Sequence, residues 1–296
     1  MARARKILKR AKAAKAIRTV TKTMEMVASA RFKRVHEKEV SARPYTTRIG
    51  ELVGELVAQV GEDLRHPLLE EREGPRRDVL LVLTSNRGLC GGFNSSVLRV
   101  ALERGRQLLR SQYEVLLQVS GKRGLQHFRF HKTHLDKEYT QFEDVPDYAK
   151  VAQVADTLME DFLSGRVSGL EVAYMQFLSV ARQKPVIATI LPLSNLHPPQ
   201  AIAAGRTGRT AYEFIPSKDV LLGRLLPTTA RLRLYQCFLD SAASEQVMRI
   251  AAMRSATDNA DDMIHTLTVR YNRLRQGQIT TELAEIMGGR MGLEDR

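Results

Sequence analysis

Ala260-Asp-Asp-Met-Ile-His-Thr-Leu-Thr-Val-Arg-Tyr-Asn-Arg-Leu274 lies in a sixty-residue stretch, Thr228–Met287, that has no proline and one interior glycine, Gly277. Ala260, Ile264, Leu267, Tyr271 and Leu274 recur at spacings of four, three, four and three, with Val247 and Ile250 as an earlier pair. That period places them on one face of a helix. The pattern slips before Ile279, Leu283 and Ile286, so the stripe is not a strict heptad throughout. At 1.5 Å per residue the segment makes a rod of about 90 Å, too long for a domain of ordinary size to cover. Ser255, Thr257, Asp258 and Asn259 interrupt it. Their side chains weaken an apolar seam but suit a surface that meets changing partners.

The other end of the chain, Arg3 to about Val60, also reads as helix. Ile17, Val20, Met24 and Val27 recur at three, four and three, and Ala28 and Ala30 would let a second helix approach closely. Two extended terminal helices predict a coiled-coil shaft around a compact middle. The expected division is 1–60 and 213–296 for the shaft and 61–212 for the middle.

The middle reads as α/β. Asp78–Thr84 is a near-continuous apolar run, the signature of a strand buried on both faces. Asn94–Ser111 reads as a helix, Tyr113–Val119 as a strand and Tyr148–Leu163 as a helix. Gly169–Ser179 and Lys184–Leu193 read as strands. Such alternation makes a layered sheet with crossover helices. Asn195–Thr210, with two prolines and two glycines, reads as a loop. Phe214–Leu226 leads into the last helix, and Pro227 marks a bend or its first turn.

Composition narrows the function. The net charge is +13, and residues 1–40 hold thirteen Lys/Arg against Glu25, Glu37 and Glu39, whereas Thr228–Met287 holds seven of each sign. A basic first segment suits nucleic acid or an acidic protein surface. Cys90 and Cys237, the only cysteines, give no disulfide framework and fit a reducing compartment. No apolar run is long enough for a transmembrane helix, so membrane association has to come through a partner.

Little chemistry survives inspection. Ser85-Asn-Arg-Gly-Leu-Cys-Gly-Gly-Phe-Asn94 sits between a strand and a helix, where a phosphate loop would be. It matches neither GxGxxG nor GxxxxGK[ST], and the structural reading makes Gly88, Gly91 and Gly92 a tight turn. His127, His131 and His134 lack a metal-ligand pattern and sit among cations, which favours a solvated hairpin or strand edge. Asp258, Asp261 and Asp262 form an acidic patch without a pocket. No catalytic, cofactor or metal residues are assigned.

The ends and the glycine loop together resemble the gamma subunit of F-type ATP synthase. The matching segments are Thr21-Lys-Thr-Met-Glu-Met-Val-Ala-Ser-Ala30, Arg87-Gly-Leu-Cys-Gly-Gly-Phe-Asn94, Ala243-Ser-Glu-Gln246, Arg254-Ser-Ala-Thr-Asp-Asn-Ala260, Tyr271-Asn-Arg-Leu-Arg-Gln-Gly-Gln-Ile-Thr280 and Glu285-Ile-Met-Gly-Gly289. They span nearly the whole chain in order.

The resemblance implies a mixed α/β fold, with an antiparallel, left-handed coiled coil of the terminal helices and a central Rossmann-like domain. It implies the central rotor of the F1 sector, coupling proton flow through the membrane sector to ATP synthesis or hydrolysis. The chain would also regulate ATPase activity and ion flow. The implied partners are the alpha, beta, delta and epsilon subunits, as alpha3 beta3 gamma1 delta1 epsilon1, and the membrane c ring. The place is peripheral, on the cytoplasmic side of the inner membrane. Lys22, Met24, Glu25, Arg254, Arg275 and Gln276 correspond to beta-subunit contacts. The shaft is expected to pack through Ile17, Val20, Val27, Ile264, Leu267 and Leu274. A nucleic-acid-binding coiled-coil protein remains the alternative. Three departures stand out: the polar tail from Arg290 to Arg296, Gly277 where alanine is usual, and no paired cysteines in Asn195–Thr210.

Overall fold

The computed structural model describes residues 2–60, 66–70, 76–193 and 218–294. In chain order the elements are α1 (Ala2–Val60), β1 (Arg77–Leu83), α2 (Phe93–Arg110), β2 (Glu114–Ser120) and α3 (Lys122–Phe130). They continue with β3 (Lys137–Tyr139), α4 (Tyr148–Leu163), β4 (Gly169–Ser179), β5 (Arg182–Leu191) and α5 (Lys218–Glu294). The expected loop at Asn195–Thr210 lies outside the described residues.

Both terminal helices form, and the last is longer than its apolar stripe. It starts ten residues before Thr228 and contains Pro227, so the proline is interior rather than in the first turn. An interior proline loses one backbone hydrogen bond and crowds the carbonyl four residues back. That carbonyl belongs to Gly223, whose surroundings are open.

Two compact units share these helices: Met1–Ala28 with Arg249–Arg296, and Ser29–Met248. The second contains the sheet, in order β3-β2-β1-β4-β5. β1 pairs in parallel with β2 and β4, β2 with β3, and β5 runs antiparallel to β4. As the apolar run predicts, β1 is covered on both faces. Val79, Leu81 and Leu83 join a core with α4, residues 35–53 of α1 and residues 222–247 of α5. Leu80 and Val82 face α2 and α3 through Phe93, Val97, Leu125 and Phe128. Asp147 caps α4, accepting from the backbone N–H groups of Ala149 and Lys150 at 2.9 and 3.3 Å.

The histidine region corrects the hairpin reading. His127 lies in α3, His131 caps its C-terminal end, and His134 follows in the connection to β3. The start of α3 depends on Gly121, at φ 98°, where a β-carbon would collide with the Thr84 carbonyl oxygen. Thr84 Oγ1 donates to the Ser120 carbonyl at 2.7 Å and accepts from the Gly124 N–H at 2.9 Å. This short helix is therefore fixed by backbone approach more than by an apolar stripe.

Within the same unit α1 and α5 bring buried acids together. Glu39 Oε1 lies 2.5 Å from the Arg43 guanidinium in an ion pair, and its Oε2 has His36 Nδ1 at 3.4 Å. Asp240 accepts from Gln236 at 2.8 Å. Burial pushes the Asp240 carboxyl up to about 6, with Glu39 adding to the effect and the Gln236 hydrogen bond opposing it.

Candidate functional site

In the unit formed by the two chain ends, α1 and α5 run antiparallel. Arg18 Nε meets Asp261 Oδ1 at 2.5 Å, Thr21 Oγ1 meets Thr257 Oγ1 at 2.7 Å, and Arg254 Nε meets Glu25 Oε1 at 3.4 Å. The buried positions of α1 here are Ala4, Ala11, Ala14, Thr21, Glu25 and Ala28. With the half-buried Ile7 and with Arg18 filling the gaps they keep a 3–4 spacing, so the contact line is a heptad made mostly of small and polar residues. On α5, Met253, Thr257 and Ala260 are buried, and Ile264, Leu267, Tyr271, Leu274 and Gln278 are half-buried at the same spacing.

This corrects the expected packing of α1. Ile17, Val20 and Val27 are 56%, 52% and 45% exposed, on the outer face with Met24. The larger α5 side chains supply the volume, and alanine opposite them lets the helix axes approach. A search for bulky apolar residues selects the wrong face of such a helix.

The candidate contact residues fall into two groups. Glu25 is buried between two cations: Lys22 donates to it at 3.0 Å, and Arg254 approaches from α5. The Lys22 hydrogen bond is the main cause holding the Glu25 carboxyl below its ordinary value; burial opposes it, and Arg254 adds to the lowering. Met24, Arg275 and Gln276 are exposed. At Gly277 a β-carbon would meet nothing within 4 Å, so no close contact demands glycine.

The glycine loop is closed by its own side chains. Ser85 N–H donates to Asn94 Oδ1 at 3.0 Å, and Asn94 Nδ2 donates to Ser85 Oγ at 2.8 Å and to Cys90 Sγ at 3.2 Å. Gly91 takes φ 56°, as does the non-glycine Leu89 at 63°. A β-carbon at Gly88 would lie 2.7 Å from the Arg123 guanidinium, whereas Gly92 has ordinary φ and room around it. At the carboxyl ends of β1 and β2 remains a cavity of about 40 Å³, lined among others by Thr84, Asn86, Glu143, Asp144, Phe238 and Glu245. Ligand pockets run to roughly 300–1,000 Å³, and three carboxylates in the lining oppose a phosphate. This crevice does not suit a nucleotide.

Cys90 and Cys237 are both buried, and burial pushes the Cys237 thiol up to about 12. No group of three or more metal-ligating side chains occurs among the described residues. No helix among them is long and apolar enough to cross a membrane.

A family model described as ATP synthase matches residues 3–293. The ATP synthase gamma chain of Rhodopirellula baltica is 43% identical over 99% of this chain and all of its own length. That of Saccharopolyspora erythraea is 38% identical, covering 98% of this chain and 97% of the relative. Among solved structures, a rotor chain of the Euglena gracilis mitochondrial ATP synthase in rotational state 1 aligns with TM-score 0.62 at 17% identity. The alignment covers 94% of this chain and 99% of that one. A central stalk/c-ring chain from Tetrahymena thermophila gives 0.57 at 20% identity, covering 80% and 99%. These distant structures share the fold. With the family model spanning nearly the full length, the chain belongs to the ATP synthase gamma chain family.

Proposed function

We propose that this chain is the central rotor of an F1 sector, turning inside a ring of three alpha and three beta subunits. Delta and epsilon complete an alpha3 beta3 gamma1 delta1 epsilon1 head, and a membrane c ring drives the rotor by proton flow. The chain has no catalytic site of its own and regulates ATPase activity and ion flow through its angular position. It sits peripherally on the cytoplasmic side of the inner membrane.

The observation that carries this reading is the outward stripe Ile17–Val20–Met24–Val27 on a paired helix whose seam uses other residues. Four apolar side chains turned away from their own partner helix mark a surface for another protein. Lys6, Lys9, Arg10, Lys12 and Lys15 are exposed on the same segment. Solvated ion pairs are worth only roughly 0–1 kcal/mol each, so such contacts exchange as a rod turns without a deep angular trap. The cross-helix bonds at Arg18, Thr21 and Glu25 resist sliding of one helix past the other and keep the shaft in register while it carries torque.

Lys22, Met24, Glu25, Arg254, Arg275 and Gln276 are assigned to beta-subunit contact, Glu25 acting by holding Lys22 and Arg254 in place. The relatives and solved structures named above are ATP synthase chains, and the nucleic-acid reading is not supported. Co-expression with cognate alpha and beta subunits tests the proposal. An alpha–beta–gamma particle with gamma-dependent ATPase activity is expected. Failure to form it, or equal activity without this chain, overturns the rotor reading.

A further inference from the structure

Between α2 and α3, on the face of the sheet away from α4, runs an open groove of about 550 Å³. Its α2 wall carries Ser95, Arg99, Leu102 and Arg106, and the same stripe continues to Leu109 at spacings of four, three, four and three. All five are exposed. The α3 wall presents Arg123 and His127, with Phe130, 84% exposed, one turn further on. Glu103 is the one carboxylate in the lining. Arg99 and Arg106 make no ion pair among the described residues, whereas Arg104, between them on another face, is bound to Glu171 through two 2.7 Å hydrogen bonds. Folding has therefore neutralised the inward arginine and left the groove arginines unmatched.

We infer that this groove docks an acidic amphipathic helix from another polypeptide of the same assembly. Three features select that occupant. A 3–4 stripe of alternating cation and leucine accepts a second helix whose leucines and carboxylates repeat at the same period. A concave channel between two helices admits a rod but not a flat bilayer. The apolar side chains at Leu102 and Leu109 favour an amphipathic polypeptide over a nucleic-acid backbone, which would use the arginines alone. At 18 residues, α2 is about 27 Å long and matches four to five turns of a partner helix. The charge excess speeds encounter and sets polarity, and the leucines supply apolar contact.

The inference rests on the family's assembly for the source of the partner, so co-purification of the complex is read first and separately. In the assembled complex, p-benzoylphenylalanine replaces Leu102, and in a second variant Ser95, before irradiation. The adduct is then identified by mass spectrometry. The expected product joins the groove to one subunit segment with acidic residues at 3–4 spacing. The pair Arg99→Glu with Arg106→Glu should cut its yield about tenfold or more, and reversing the partner's acids should restore it. If the complex assembles but gives no adduct, the inference fails. An adduct to lipid, to nucleic acid or to a segment without that acidic repeat, or a yield indifferent to charge reversal, overturns it as well.

Discussion

The hydroxyl of Thr21 lies 2.7 Å from that of Thr257, buried at the contact between two helices whose residues are 236 apart in sequence. Each oxygen also reaches a carbonyl of its own helix, Arg18 at 3.0 Å and Met253 at 2.9 Å. One proton therefore crosses the seam and the other returns to the backbone. Replacing both residues with valine removes two polar groups together, which is near neutral or stabilising. Thr21→Val/Thr257→Val should keep or raise the thermal midpoint followed by circular dichroism, while Thr21→Ala alone costs about 1 kcal/mol or more by leaving a void beside Thr257 and removing the bond across the seam. A double variant that melts well below the parent would show that the hydroxyl pair is itself stabilising.

Glu25 gives the same seam an acid limit. Its folded carboxyl is held below the ordinary value by Lys22 first, so its contribution is present above that ordinary value and is lost as pH falls through the lowered one. Denaturation midpoints should drop more steeply on acidification in the parent than in Glu25→Gln. Parallel pH profiles for the two would remove the ion triad from any stabilising role.

Asp240 acts in the opposite sense. Its value is raised from 3.8 to about 6, so the folded state binds the extra proton and stability is lost as pH rises between those values. One pKa unit is worth about 1.4 kcal/mol, which makes Asp240→Asn about 1–3 kcal/mol more stable at pH 7, with little gain below pH 4. Urea unfolding at both pH values measures this. A gain of equal size at both would point to packing rather than titration.

Glycines separate strained from unstrained positions. Gly121→Ala forces a β-carbon into the Thr84 carbonyl at positive φ and should cost about 3 kcal/mol or more, or prevent folding of the sheet unit. Gly277→Ala meets open space in a helix and should add about 1 kcal/mol of helix stability. Thermal melts of the two variants moving in the same direction would refute that assignment.

Arg275→Ala with Gln276→Ala tests the proposed beta-subunit contact. Both side chains are exposed, so the chain should fold and assemble normally while ATP turnover and torque fall several-fold. Unchanged turnover in the assembled head would withdraw the assignment.

Much of this molecule was legible in sequence where one force dominates. The β1 run, α4 and β4 follow from apolar and β-branched patterning; α4 and β4 appear with the bounds read, and β1 lies one residue earlier, at Arg77–Leu83. The α1 seam did not, because burial there depends on what the partner helix supplies: Ala11 and Ala14 are covered while Ile17 and Val20 are not. α3 and β3 escaped for another reason. Nine residues with Leu125 and Phe128 as their large buried anchors carry too little periodicity, and the close packing of Gly121 and Gly124 on Thr84 leaves no pattern in the sequence. The helix α2 was legible over nearly its full length, but its outward stripe at 95, 99, 102, 106 and 109 was not, and its unmatched arginines became evident only once Arg104 was seen to take Glu171.

Both native thiols are enclosed, Cys90 at 2% and Cys237 at 4% exposure. A single cysteine introduced on an exposed site of the sheet unit such as Lys150 would consequently be the one readily reactive handle on the polypeptide. A fluorophore or bead could be attached there without first stripping the natural sulfhydryls, leaving the hydrogen bond from Asn94 to Cys90 in place for optical tracking of single particles.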